Sequence, residues 1–557
     1  MKTSKIKKLC TVIMAATLAI STLAGCGSSS TTSSSSSSSE AGGKELVFNL
    51  GADPKTIDPA LNQAVDGGTL IENMFEGLYK LDENEKAVPG IAESYDLSAD
   101  GTEYTFHLRS DAKWSNGDPV KASDFEYAWK RVLDPNTAAE YAYQMMYLKG
   151  AQAYNEGKAT ADEVGVKAVD DTTLKVTLTS PCAYFLDLTS FPCYFPVNQS
   201  VVEAHPSDWT ENPETYVSNG AYKLTSYKIK DGCTLEKNDA YYAKDDVKME
   251  KVDVKFVTQD TSAWANLKNG TFDASDLIPT SEVQNGVKDG CVTIYPEFGN
   301  YYYTINVSEV AKEIDPNAAQ VLSDVRVRKA LNLAIDRQSI VDNITKGEQI
   351  PATAFIPNGL TNEKGEDFNN KEYFPAKGDV DQAKQLLAEA GYPDGQGFPS
   401  IVLLINPEGA HSAIGQAIQD MWKTNLGIDI QIQSQEWKVF QKTRTTHKFE
   451  IARNGWVGDY LDPMTFLDLL QTKSGLNDGV YSSEKFDSLV DQAKAETDAT
   501  KRWDLLRQAQ DQLMEDMPVI PVYYSTRPAG VNKNVKGLRR SKLGFYFFAG
   551  VTKENTK

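Results

Sequence analysis

Histidine, cysteine and the carboxylates are where any chemistry in this chain would have to start. There are four histidines, His107, His205, His411 and His447, with no i, i+4 pair and no H-E-x-x-H. No phosphate loop of the G-x-x-x-x-G-K-[ST] type, no G-x-S-x-G turn and no EF-hand loop occurs. The chain carries 77 Asp and Glu, but their spacing singles out no pair for general acid–base hydrolysis. Cys182, Cys193, Cys233 and Cys291 form no C-x-x-C unit of a redox or metal site. Their even number permits two disulfides outside the cytoplasm, and Cys182 with Cys193 would close a short loop, although the pairing stays open. With every local catalytic signature missing, the reading is a binder and not an enzyme, with no cofactor and no metal. A net charge of −20 repels phosphate backbones and argues against nucleic acid as a partner.

One further cysteine carries a positional signal. Lys2, Lys5, Lys7 and Lys8 precede an apolar run, Leu9 to Ile20, too short to span a bilayer, and Leu23-Ala24-Gly25-Cys26 follows. Residues 1–25 read as a secretory signal. Leu-Ala-Gly-Cys resembles the lipobox of bacterial lipoproteins, which implies acylation of the Cys26 thiol at a new N-terminus. Residues 26–43, Ser-rich to Ser39, then make sense as a flexible spacer. Taking 25 residues and four lysines from 557 residues at −20 leaves 532 residues at −24. That is too long for one hydrophobic core, so at least two lobes are expected.

The elements that would position a site read as α/β throughout. Ile401 to Ile405 is an apolar run fit for a buried strand. Ala413, Ile414, Ala417, Ile418, Met421 and Trp422 repeat at helical spacing, and Ile428, Ile430 and Ile432 alternate as a strand should. This is a βαβ unit with parallel pairing. A second candidate runs through Val252, Val254 and Phe256, a helix around Ala263 to Lys268, and Phe272 to Ala274. A helix is expected from Asp379, with Gln382 three residues on, to a stop at Gly391. Another should cover Val325 to Val341 with Val327, Leu331, Ala334 and Ile335 on one face. Tyr104 to Leu108 and Thr173 to Thr179 read as half-buried antiparallel strands. No interior composition shift marks a simple two-part division.

Several stretches resemble the solute-binding proteins of peptide ABC importers, in the oligopeptide-binding branch. They include Asp53-Pro54-Lys55-Thr56-Ile57-Asp58-Pro59, Phe75-Glu76-Gly77-Leu78, Tyr104-Thr105-Phe106-His107-Leu108-Arg109 and Ala112-Lys113-Trp114-Ser115-Asn116-Gly117. Asn219-Gly220-Ala221-Tyr222-Lys223-Leu224, Asp324 to Leu331, Gln435-Glu436-Trp437-Lys438, Ala452-Arg453-Asn454-Gly455-Trp456 and Val519 to Tyr524 complete the series. The resemblance implies a two-lobed, periplasmic-binding-protein-like clam shell of three domains with the cleft between lobes. Domain I would comprise residues 44–75, 200–310 and 525–557, domain II residues 76–199, and domain III residues 311–524. The chain crossings near 310 and 525 would be the hinge.

What the family does, carried over residue by residue, implies a monomeric receptor. It would be lipid-anchored on the outer face of the bacterial cytoplasmic membrane, deliver oligopeptides to a permease and hold them by termini and backbone. Asp459 matches the aspartate that holds the peptide ammonium. Arg453, His411 and Arg444 match positions that meet peptide carboxylates. Gly455, Trp456 and Val457, with Ala64 and Val65, match strand edges that bond the peptide backbone. Trp437, Trp456, Tyr141 and Tyr523 would line side-chain pockets. Gly299 and Val457 stand where close relatives carry a cysteine pair, so that cross-link is not expected here. A dipeptide, a nickel chelate, haem or a peptide signal in the same scaffold is the alternative, and a secreted hydrolase a remote one.

Overall fold

The computed structural model of the chain describes residues 44–362, 364–407 and 410–554. The secretory signal, Cys26 and the Ser-rich spacer lie outside the described residues. The expected βαβ unit forms as read. Ile401–Ile405 and Ile430–Ser434 pair in parallel, with Ile401 opposite Ile430, and helix His411–Leu426 connects them. The apolar run is buried on both faces, and Ile414, Ile418 and Trp422 of the helix pack onto it. The second unit also forms, with a difference. Lys251–Lys255 and Ala274–Ser275 do not touch, because Glu45–Asn49 inserts between them and pairs in parallel with both.

These strands belong to one mixed sheet of eleven, labelled in chain order β1 (Glu45–Asn49), β2 (Tyr222–Lys228), β3 (Gly232–Lys237), β4 (Lys251–Lys255), β5 (Ala274–Ser275), β6 (Val292–Ile305), β7 (Ile350–Pro351), β8 (Ile401–Ile405), β9 (Ile430–Ser434), β10 (Ile451–Val457) and β11 (Val519–Val531). Their order across the sheet is β9-β8-β10-β6-β11-β5-β1-β4-β3-β2, with β7 paired to β11 off that path. The long antiparallel pair β6 and β11 joins the two halves. One end of β6 pairs with β10, and the opposite end of β11 pairs with β5. Their register shifts between Pro296 and Asn300, so the pair is irregular where the halves meet. A separate four-stranded antiparallel sheet contains Glu103–Leu108 and Thr173–Thr177, paired as expected with Tyr104 opposite Val176. The molecule is therefore a mixed α/β, multi-domain clam shell. No helix among the described residues is long and apolar enough to cross a membrane.

Helix ends follow local chemistry. Asp379 caps helix Val380–Glu389, its carboxylate accepting from the Gln382 amide at 3.0 Å, and Gly391 turns away at φ 101°. The helix expected over Val325 to Val341 is broken, although the face carrying Val327, Leu331, Ala334 and Ile335 is buried as anticipated. Asp336 starts a new helix by accepting from the Ser339 amide at 2.9 Å. The reason for the break lies in Arg337, which is 0% exposed. Its guanidinium donates to the carbonyls of Asn332 and Ile335, freed at the end of the first helix, and to Pro521 of β11 at 2.7 Å. The two permitted disulfides are absent. Cys182, Cys193, Cys233 and Cys291 are buried free thiols, the first three packed in the apolar core, and burial pushes the Cys182 thiol up to about 12.

Arg337→Leu leaves those buried carbonyls without a donor and should destabilise the protein by about 2–4 kcal/mol. An unchanged midpoint of urea unfolding would remove Arg337 from the tie between this helix break and β11.

Candidate functional site

The site is built where β10 ends. Gly458 follows β10 and donates to the Phe298 carbonyl at 2.7 Å, and a Cβ there would lie 2.5 Å from the Phe298 ring. Only glycine permits that approach, and it sets Asp459 facing inward. The Asp459 amide is held by Thr465 Oγ1 at 3.1 Å. Its carboxylate accepts from Tyr143 Oη at 2.6 Å and Tyr141 Oη at 3.2 Å, and the two tyrosine rings stack 5.5 Å apart. The next residue, Tyr460, stacks flat on Tyr184 with centroids 4.5 Å apart. Asp459 is 7% exposed, and its carboxyl is pushed up to about 6. Desolvation is the main cause, while the hydroxyls of Tyr143 and Tyr141 and the dipole of the Gln144 amide pull it part of the way back. A cavity of about 950 Å³ opens against Asp459, Trp456, Tyr143 and Gln144.

A second cluster forms around Tyr301 on β6. Tyr523 stacks on it at 4.9 Å, His411 lies 5.5 Å away by ring centroids, and the Arg453 guanidinium sits 5.2 Å over its ring. His411 is the first residue of its helix, at the carboxyl end of β8, as expected. Arg453 Nε is buried without a hydrogen-bond partner. Arg444 differs. It pairs with buried Asp478 at 2.9 Å and donates to Asn454 Oδ1 at 2.9 Å, so its charge is already met by an internal acid. Asn454 in turn donates to Asp478, and its Oδ1 accepts from the Gly455 amide at 2.9 Å.

Between the clusters runs β10. One side pairs with β6 along its whole length, and the other meets β8 only at Ile451 and Ala452. Among the described residues, Arg453 to Val457 have no strand on that second side. Gly455, Trp456 and Val457 are half-buried along this edge. Gly299 and Val457 face each other across the β6–β10 ladder. Ala64 and Val65 are not a strand edge. Ala64 is the extended residue before helix Val65–Met74, and Val65 is its first residue, 38% exposed. Within that helix Gly67 and Gly68 pack closely on Asn62 and Phe545, where a Cβ would lie 2.2 and 2.3 Å from them. Trp437 begins helix Trp437–Thr445, exposed and stacked on Phe440 at 5.8 Å.

The structure thus brings Asp459, Tyr141 and Trp456 to one end of the β10 edge, and Arg453, His411 and Tyr523 to Tyr301. Tyr143, Gln144, Thr465, Tyr301 and Asn454 were not singled out by sequence. Tyr143 lies two residues from Tyr141, and Tyr301 opens the run Tyr301-Tyr302-Tyr303. Such aromatic doublets were the available signal.

Comparison with known proteins places these features in context. Residues 86–478 match the family described as bacterial extracellular solute-binding proteins, family 5 Middle. The chain is 38% identical over 553 residues to the oligopeptide-binding protein OppA of Bacillus subtilis, covering 97% of this chain and 99% of that protein. It is 35% identical to the dipeptide-binding protein DppE of the same organism, covering 97% and 98%. Among solved structures, the substrate-binding domain of an oligopeptide ABC transporter from Bacillus anthracis superposes with a TM-score of 0.76 at 33% identity, over 92% of this chain and 100% of that one.

A carboxyl whose folded-state pKa lies above the ordinary 3.8 loses stability when it ionises. The penalty is absent below about pH 4, grows towards pH 6 and is complete above it. Asp459→Asn should therefore stabilise the protein by about 1–3 kcal/mol at pH 7.5 and not at pH 3.5. Urea unfolding at both pH values measures this, and equal effects at the two would contradict it.

Proposed function

Because this chain belongs to the bacterial extracellular solute-binding proteins of family 5, we propose that it captures oligopeptides outside the cytoplasm and hands them to the membrane permease of an ABC importer. A receptor of this kind must hold peptides while ignoring most of their side chains. The groups that all peptides share are an ammonium, a carboxylate and backbone amides. The observation that carries the reading is the open edge of β10 ending in buried Asp459. The peptide ammonium joins or displaces the Tyr141 and Tyr143 hydroxyls at the carboxylate. Its backbone adds to the edge at Gly455 to Val457, where a ligand carbonyl replaces Asn454 Oδ1 on the Gly455 amide. Each such bond contributes about 0.5–1.5 kcal/mol, so several give affinity without sequence preference. Arg453 and His411 meet the carboxylate end. Tyr523 and Trp456 wall the side-chain space, with Trp437 at its exposed border. Arg444, tied to Asp478, acts by holding Asn454. Ala64 and Val65 contribute backbone groups at the start of helix Val65–Met74.

We assign domain I to residues 44–75, 200–310 and 525–557, domain II to 76–199 and domain III to 311–524. The irregular centre of the β6–β11 pair then bends as ligand biases an open–closed equilibrium. The protein works as a monomer, without catalysis, tethered by an acylated Cys26.

Three measurements check this. Incubated with a defined pentapeptide, the protein should yield the peptide intact by mass spectrometry; fragments that increase with protein concentration would indicate a hydrolase. Because protonated Asp459 cannot pair with an ammonium, affinity should fall about tenfold per pH unit below pH 6, and a flat profile from pH 7 to 5 would remove Asp459 from the site. Cys26→Ser should move the protein from the membrane fraction to the medium, and retention would contradict the anchor.

A further inference from the structure

Beside the ammonium-binding carboxylate lies a space that peptide capture through termini and backbone does not use. The cavity of about 950 Å³ that Trp456 and Asp459 line is otherwise walled by the segment Tyr143 to Glu156 and the segment Asp468 to Lys494. Its wall is acidic. Glu156, Asp459, Asp468, Asp487 and Asp491 line it, against only Lys473 and Lys494. Two of the acids are already matched, Asp468 by Lys494 at 2.5 Å and Glu156 by Lys158 at 2.6 Å. Asp487 and Asp491 are held by neutral donors, the Thr472 amide at 3.0 Å and Gln471 Nε2 at 2.9 Å. No cation among the described residues forms an ion pair with either.

A second observation points to a ligand group in the same place. Gln144 lines the cavity at 1% exposure; its amide nitrogen faces the Asp459 carboxylate, and its Oε1 has no hydrogen-bond partner. A buried amide oxygen left unmet is costly unless something completes it.

We infer that this cavity receives a cationic side chain on the first residue of the peptide, so that the protein prefers ligands beginning with Lys or Arg. This rests on the peptide reading above, in which the ammonium sits at Asp459. With the ammonium fixed there and the backbone running along β10, the first side chain is the one beside the cavity. A lysine or arginine carries donors for Gln144 Oε1 and a charge for Asp487 and Asp491. An acidic first residue meets repulsion from the same wall. The cavity opens to solvent, so salt screens the effect and the preference is one of degree.

The test is titration of the full chain with three peptides differing only at the first residue, Lys, Ala or Glu. The Lys-first peptide should bind about fivefold or more tightly than the Ala-first one, and the Glu-first peptide more weakly than both. Asp487→Asn combined with Asp491→Asn should bring the Lys-to-Ala ratio close to one. Should that variant not fold, the wild-type ratio at about 50 mM and about 500 mM salt replaces it; collapse at high salt supports the inference and a constant ratio overturns it. Equal affinity of the wild type for all three peptides overturns the inference and leaves the peptide reading standing. Failure to bind any of them overturns both.

Discussion

The Asp459 carboxylate sits where water hardly reaches it, and an anion in such a place needs a cation or well-aimed donors. Two tyrosine hydroxyls and the Gln144 amide provide the donors and no cation among the described residues pairs with it, so its pKa is left at about 6, above that of an ordinary carboxylate. Much of the surrounding structure follows from that placement. Gly458 makes the turn that faces the carboxylate inward, and Thr465 pins its backbone. On the proposed reading, a ligand ammonium gains most where water competes least, so the burial that weakens the free protein would strengthen the complex.

Direction comes from the strand that carries Asp459. β10 is pinned on one side by β6 and is free on the other beyond Ala452, so the carboxylate and the backbone groups belong to one rigid element. β6 in turn rests on β11, and Arg337 ties β11 to the helices behind it. A ligand lying on β10 therefore touches a strand whose far partners cross into the other half of the sheet. The register shift near Pro296 is where that frame is least regular.

What could be read beforehand divides along a physical line. Patterns set by neighbours in sequence came through: the β8–helix–β9 unit from its periodicity, and the Asp379 cap from a side chain that bonds three residues on. Asp459 stood out because its flanking motif resembles a family, and the structure adds that it is buried just past the end of β10. Contacts across long sequence distances were not legible. Tyr143 meets Asp459 from 316 residues away, and the nearby Tyr141 marks an aromatic pair without naming its distant partner. The break at Ala334 to Asp336 depends on Arg337 reaching Pro521, again a distant partner. Counting cysteines could show that bridges were permitted, but parity does not bring thiols together, and all four stay free. Arg444 illustrates the converse hazard, since a cation placed by motif can already belong to a buried acid such as Asp478.

The central claim is that the cleft recognises a charged amino terminus through a buried acid. Calorimetric titration with one pentapeptide, free and N-acetylated, tests it directly at pH 7.5. Removing a charged partner from a buried ion pair costs roughly 2–5 kcal/mol, so the acetylated peptide should bind about thirtyfold or more weakly. Equal affinity for the two would mean that Asp459 holds something other than a peptide ammonium.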